Sequence, residues 1–378
     1  MDRLFMALLV VPLMLYCMLS FVLALALTLL YVPRKILISR LYWAVPFIPA
    51  IWSRQRGVTT FLTRSAFEMT YSINALRRLL TAPIRSLPSF YIIGFPKAGT
   101  TSIASQLRRH PAIRGLSALP YGVMQKESHF FSGVFGARCA HQSLLYRSFF
   151  PTLLSKFWVE VVRGAGKMIT FDATPTYAVL PHVARRVKAL TPDAKLVVCV
   201  RNPCEAVFSA EVMLRNLGMD LPYTMMDSMR PNDARFAPCE DETRLWQELE
   251  DLDVRGELPQ SLPELFYTRV GTLLRAGNIA ECLRPWLAEF TRDRIMVVDY
   301  NAIVADEEGV VRQILEFVGA DPGLYKWKHL PPGMKTEYRG RRMHPTVAAH
   351  LRRHFEPLNR QFSMLVGRNF AWTVAADV

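Results

Sequence analysis

Residues 89–102 read SFYIIGFPKAGTTS, and no other segment restricts the fold of this 378-residue chain as tightly. Ser89 to Ile93 is a short β-rich apolar run, and beyond the loop a helical pattern continues to about His110. Glycines let the backbone approach an anion, successive N–H groups point at it, and the helix amino terminus adds a favourable dipole. Lys97 supplies a point charge, Ala98 and Gly99 supply backbone, and Thr100, Thr101 and Ser102 supply hydroxyls. The spacing nearly fits a Walker A loop, but Thr100 stands where the Walker lysine belongs and the lysine has moved inside the loop. A nucleoside triphosphatase would lose its clamp on the β- and γ-phosphates. The plainer alternative is a glycine turn that happens to carry a lysine.

A second strand, Lys195 to Val200, ends in Arg201-Asn202-Pro203, and a helix then runs through Ser209 toward Arg215. A buried parallel strand emptying into an arginine, with a hydroxyl eight residues on, can form a second anion site beside the first. Two such sites suit a ligand phosphorylated in two places. By itself, Arg-Asn-Pro is more often a helix start with an ion-paired arginine, since proline is common in the first helical turn. Between these strands lies Lys126-Glu127-Ser128-His129-Phe130-Phe131. If this segment is extended, Glu127 and His129 share a face, and either could be a general base for a hydroxyl or amine. A surface charge pair beside a buried Phe-Phe is the alternative. Met168 to Asp172 predicts another strand, with Asp172 either a Walker B metal ligand or the cap of a turn. Leu351, Phe355, Leu358, Phe362 and Leu365 predict the core-facing stripe of a helix.

The amino end has a different character. Leu4 to Val32 is 29 residues without a charge, where a bilayer core needs roughly 20. A cleavable signal peptide would have an apolar region of roughly 7–15 residues, so one transmembrane helix is expected, kinked at Pro12. Arg34, Lys35 and Arg40 follow it while only Arg3 precedes it, so the positive-inside rule places the remainder of the chain in the cytoplasm. Leu41 to Trp52 is too short to span, carries Pro46 and Pro49, and reads as an interfacial segment. The expected organisation is an anchor at 1–33, a basic stem at 34–87 and one domain at 88–378. Gly218 to Tyr267, Met-rich and then acidic, reads as an insertion near the cleft.

Lys plus Arg total 46 against 32 Asp plus Glu, a formal charge of +14 that favours anionic partners without choosing among them. Arg108, Arg109, Arg185, Arg186 and Lys188 could line a track for a polyanion, although charge runs are more often solvated faces. The six cysteines show no CxxC and no metal-type spacing with histidine, so no metal site and no dense disulfide framework is expected.

Taken in order, GFPKAGTTS, KESHFF, DATPTY, PDAKLVVCVRNPCEAVFS, FTRDRIMVVDYNAI and GRRMHP followed by FEPLNRQFSMLVGRNFAW resemble the PAPS-dependent carbohydrate sulfotransferases. The nearest likeness is to the heparan sulfate 3-O-sulfotransferases and to the sulfotransferase half of the N-deacetylase/N-sulfotransferases, over about residues 88–373. The resemblance implies that the Lys97 loop with Gly99, Thr100 and Thr101 holds the 5′-phosphosulfate, and that Arg201 with Ser209 holds the 3′-phosphate. It implies Glu127 as base with His129 beside it, and a loop at Gly340, Arg341 and Arg342 that closes over the donor. It also implies a Golgi membrane protein of type II, against the charge rule. The sequence departs from the family at Ala173, where the heparan sulfate enzymes commonly carry a lysine, and at Ser132, where an acid is usual. The cysteine pair expected around the carboxy-terminal loop is absent, which leaves the acceptor sugar open.

The expected fold is therefore α/β, with a P-loop-like central parallel sheet flanked by helices and one amino-terminal transmembrane helix. The expected function is sulfuryl transfer from PAPS to a hydroxyl or amine of a glycosaminoglycan-like carbohydrate, with no nucleic-acid partner. Its rivals are a Mg²⁺-dependent P-loop kinase with Asp172 on the metal, and a non-catalytic membrane-anchored glycan-binding protein.

Overall fold

The computed structural model describes residues 77–116, 126–132, 140–216, 276–330, 338, 343, 345–370 and 372. The expected anchor, most of the stem, the insertion at 218–267 and the loop residues Gly340, Arg341 and Arg342 lie outside the described residues. Among the described residues no helix is long and apolar enough to cross a membrane.

Five strands form one parallel sheet in the order β2-β3-β1-β4-β5. They are β1 Phe90–Gly94, β2 Ile113–Arg114, β3 Ile169–Asp172, β4 Lys195–Val200 and β5 Ile295–Asp299. Every residue of β1 and all of β4 after Lys195 is buried, which is why both read as unbroken apolar runs rather than as alternation. The chain leaves β1 on one side and resumes on the other at β4. The crevice outside the carboxyl end of β1 is thus a topological switch point, where open sheets of this class take ligands.

The helices are α1 Thr100–Leu107, α2 Ala140–Arg147, α3 Leu153–Phe157, α4 Pro181–Leu190, α5 Pro203–Asn216, α6 Ile279–Glu289, α7 Tyr300–Ala305, α8 Glu307–Val318 and α9 Pro345–Val366, with a π-helical turn Trp158–Val162 continuing α3. One helical group pairs α1 with α8, and another joins α6 to α4 and α9. Local chemistry sets the ends of α8: the Asp306 carboxylate accepts the Gly309 N–H at 2.8 Å, and Gly319 stops the helix at φ 84°. The expected stripe on α9 is realised, with Leu351, Phe355 and Phe362 buried. Gly94 is required for space, since a Cβ there would stand 2.5 Å from the Ala178 Cβ in the 3₁₀ turn Pro175–Val179. Where the chain arrives from the stem, Arg78 Nε donates to the Ser148 carbonyl at 2.7 Å and the Ser86 N–H to Pro151 at 3.0 Å.

Candidate functional site

The loop between β1 and α1 is shaped by two residues in the left-handed region, Lys97 at φ 65° and Gly99 at φ 83°. A Cβ on Gly99 would press on Tyr300 and Ile303 at 3.1 Å, so both the backbone angle and the close approach of α7 demand glycine. The Lys97 ammonium is largely buried, and its hydrogen-bond partner among the described residues is the Met213 thioether of α5 at 3.5 Å, a weak acceptor. Burial, followed by the positive charges of Arg201 and Lys126, lowers the Lys97 pKa to about 8. Thr100 is buried and Thr101 half-buried, and within the described residues neither hydroxyl has a partner. Ser102 turns elsewhere: its hydroxyl donates to Glu307, which also takes Gln106 Nε2 at 2.7 Å. One hydroxyl has one proton to give, so Ser102 ties α1 to α8 rather than facing the loop.

Arg201 forms the ion pair expected of a helix start and also lies beside the Lys97 loop. Its Nη2 and Nε donate to the Glu205 carboxylate at 2.8 and 3.1 Å, the ion pair of an ordinary helix start. At the same time Nη1 reaches the Lys97 carbonyl at 3.3 Å, and the guanidinium lies over the Tyr300 ring at 4.4 Å. Ser209 is buried on α5, two turns beyond.

The Lys-Glu-Ser-His segment is not an extended strand, and the expected alternation fails. His129 sits at φ 49°, and Phe130 and Phe131 are both buried, packed edge to face at 5.1 Å. Glu127 and His129 nevertheless meet, with His129 Nε2 3.0 Å from Glu127 Oε2. They meet because Ser128 between them is pinned: its hydroxyl donates to Asp172 at 2.5 Å and its N–H to Thr174 Oγ1 at 3.0 Å. Lys126, almost fully buried, places its ammonium on the other Glu127 oxygen. Burial alone would raise the Glu127 carboxyl, but the Lys126 charge and the His129 hydrogen bond outweigh it and hold the pKa at about 2.

Asp172, at the end of β3, is completely buried and accepts from Ser128 Oγ, Thr174 Oγ1 at 2.7 Å, Tyr146 OH at 2.8 Å and Tyr177 OH at 3.2 Å. Burial pushes its carboxyl above the ordinary range despite these donors. Both oxygens are engaged by the protein, so Asp172 is laid out as an internal clamp and not as a metal ligand. Asp172→Ala would remove the acceptor of four hydroxyls, of which Ser128 and Tyr177 still have each other at 2.8 Å, and is expected to destabilise the domain by about 3 kcal/mol, with Asp172→Asn losing less. Urea unfolding midpoints at unchanged slope would measure this; a loss below about 1 kcal/mol for the alanine variant would contradict the clamp.

The expected basic track does not form as one surface. Arg186 is buried and donates to the Phe131 carbonyl at 3.1 Å, Arg108 lies over Phe171 at 5.9 Å, and Arg109 and Lys188 donate to the carbonyls of Lys326 and Pro192. Arg185 alone of the five is exposed without a hydrogen bond among the described residues. The functional neighbours that sequence reasoning missed are Lys126, Glu205, Met213 and Tyr300. Lys126 lies inside the Lys-Glu-Ser-His block, where the sequence assigns it no role, and Glu205 stands four residues after Arg201, where an ion pair is expected of a helix start; nothing local marks Met213 and Tyr300.

A profile described as Sulfotransferase family matches residues 88–322. Two curated mouse proteins, heparan sulfate glucosamine 3-O-sulfotransferases 3A1 and 3B1, are each 28% identical to this chain. Those matches cover 79% and 76% of it and 67% and 65% of their own lengths, so the chain spans about two thirds of these relatives. The bifunctional heparan sulfate N-deacetylase/N-sulfotransferase 1 of Caenorhabditis briggsae is 33% identical over 65% of this chain and 23% of that protein.

Proposed function

The chain belongs to the sulfotransferase family, and from that premise we propose that it moves the sulfuryl group of PAPS to a hydroxyl or amine of a glycosaminoglycan-like carbohydrate. The observation that carries this reading is the Lys97 ammonium at the carboxyl end of β1, buried beside Arg201 and Lys126 with only a thioether for a partner among the described residues. Lys126 and Arg201 are already paired with Glu127 and Glu205, so an anion arriving there would give the Lys97 ammonium the charged partner it lacks among the described residues. The names of the mouse and worm relatives, together with the net charge of +14, support a polyanionic glycan as acceptor.

When bound, PAPS supplies an electrophilic sulfuryl group and, as leaving group, adenosine 3′,5′-bisphosphate. Lys97 and the loop N–H groups at Gly99, Thr100 and Thr101 would stabilise the negative charge that grows on the 5′-phosphate, whereas the Ala98 N–H is taken by the Phe95 carbonyl at 3.2 Å and shapes the loop. Arg201, by giving up one of its two hydrogen bonds to Glu205, and Ser209 would hold the 3′-phosphate, a role that the resemblance extends to Gly340, Arg341 and Arg342. Glu127 takes the acceptor proton, held in place by the pinned Ser128. His129 is the second candidate, because the Lys126 contact that keeps Glu127 near pKa 2 also makes it a weak base.

Thermal-shift titration tests the donor site. Adenosine 3′,5′-bisphosphate without metal is expected to stabilise the protein, whereas ADP or ATP with Mg²⁺ is not; a preference for Mg²⁺-ATP would favour the kinase reading. A pH dependence follows from Lys97. Below about pH 8 the free protein carries Lys97 charged, and above it the neutral amine must take up a proton to bind the anion. Bisphosphate Kd is therefore expected to be level below pH 8 and to rise up to roughly tenfold per pH unit above it. Calorimetry in buffers of different ionisation enthalpy would detect the proton uptake, and a level Kd to about pH 9.5 would mean that Lys97 keeps its charge in the free protein, against the lowered pKa.

We further propose that residues 1–33 anchor the chain in the Golgi membrane, 34–87 form the stem and 88–378 the catalytic domain. The 29-residue uncharged run supports the anchor, and the type II arrangement with a lumenal domain follows the resemblance, against the charge rule. Protease digestion of sealed microsomes should spare the domain; digestion without detergent would restore the cytoplasmic orientation of the charge rule.

A further inference from the structure

The face formed by α3 and its π-helical continuation has no assigned role. Leu153, Phe157 and Val161 recur at every fourth residue, as do Leu154, Trp158 and Val162, and all six are between 50% and 74% exposed. A four-residue spacing drifts around an α-helix of 3.6 residues per turn. The wider π turn from Trp158 drifts the opposite way and returns the last pair to the same face. The other side of this segment is sealed, with Val159 buried against Ala112, Ala165 and Met168.

Charge and position say what this face meets. Between residues 140 and 170 the one acid is Glu160, against Arg147, Lys156, Arg163 and Lys167, and the Glu160 carboxylate is occupied by the Met168 N–H at 2.8 Å. Ala112 directly precedes β2 and Met168 directly precedes β3, so the face lies beyond the amino ends of the strands. The chain reaches the sheet on that same side: Arg85 bridges to Thr152, with the exposed Ile84 and Leu153 flanking the bridge. The Lys97 loop is at the opposite, carboxyl end, roughly 15–20 Å away for strands of this length.

We infer that this face is a second membrane contact, lying on the bilayer with its apolar pairs in the acyl boundary, Trp158 at headgroup level and Lys156 and Arg163 on the lipid phosphates. The contact fixes the orientation of the domain: with the amino ends of the strands toward the bilayer, the anion loop opens away from it, toward a soluble polymer. The inference rests on the membrane tether proposed above and is tested so that the two can fail separately.

The test reconstitutes the full chain in phosphatidylcholine vesicles containing a photoactivatable lipid, and maps adducts by mass spectrometry. Lipid adducts are expected in the 152–163 peptide, falling several-fold in the Leu154→Glu/Val161→Glu variant, while adducts in 4–32 persist. Both substituted side chains are exposed, and an unchanged near-ultraviolet circular dichroism spectrum verifies the fold. Adducts in 4–32 but none in 152–163, with a water-soluble carbene labelling the latter instead, would overturn the contact and keep the tether. Protection of 152–163 from both reagents, with crosslinks between copies of the chain, would overturn it in favour of a self-association surface. Adducts in 152–163 without any in 4–32 would support the contact and remove the tether.

Discussion

Lys97→Ala is expected to lower kcat by about 10²–10³-fold, the usual effect of deleting one preorganised charge from a site where charge develops. It should also weaken adenosine 3′,5′-bisphosphate binding by roughly 10–100-fold, since a charge-assisted hydrogen bond to a phosphate contributes about 1.5–3 kcal/mol. The variant should fold at least as well as the parent. Lys97 is a largely buried ammonium on a thioether, and burial with two neighbouring cations already disfavours its charged form, so its removal relieves repulsion rather than breaking an ion pair. Stability should therefore hold or rise while binding falls. Lys97→Arg is not expected to rescue, because the planar fork cannot occupy a pocket shaped for an ammonium. Isothermal titration and steady-state kinetics on the same preparations would check this, and an alanine variant that bound the bisphosphate as tightly as the parent would move the anion site elsewhere.

Glu127→Gln is expected to separate the two quantities that Lys97→Ala joins. Turnover should drop by about 10²–10⁴-fold, the range for loss of a general base, while bisphosphate affinity changes by less than about twofold because Glu127 acts on the acceptor. Equal loss of cofactor affinity in both variants would take Glu127 out of the base role. The pH profile discriminates further. A carboxyl held at about 2 is in its ionised, proton-accepting form throughout the physiological range, so Glu127 acting alone gives kcat/KM no acidic limb between about pH 5 and 7. A limb that appears there and vanishes in His129→Gln would transfer the base to His129, with Glu127 as its partner at 3.0 Å. Lys126→Met provides the complementary result: removing the ammonium from Glu127 should raise that carboxyl toward the ordinary range and bring an acidic limb into the profile.

Much of this site was legible in the sequence because its parts are local. The strand, the glycine loop and α1 are contiguous, and the two residues at positive φ fall inside the motif that announces them. β4 and α5 follow from an apolar run and a proline within a dozen residues, and the α9 stripe from helical periodicity. The Lys-Glu-Ser-His segment was legible only in part. Its residues were identified as chemistry, but the reason Glu127 and His129 face one another is not alternation along a strand. It is the hold of Asp172 and Thr174 on Ser128, across 44 and 46 residues of sequence.

By itself the sequence determined the element types, the place of an anion loop and the side chains available to it, since periodicity and turn chemistry act over a few residues. Only the tertiary structure decided how those side chains are used. Asp172 became a clamp because three elements converge on it at a fully buried position. Ser102 was drawn to Glu307 across 205 residues. Arg201 was shared between Glu205 and the Lys97 carbonyl because β4 lies beside β1. A carboxylate, a hydroxyl or a guanidinium can satisfy itself with many partners, and which one it meets is fixed by the packing of distant segments.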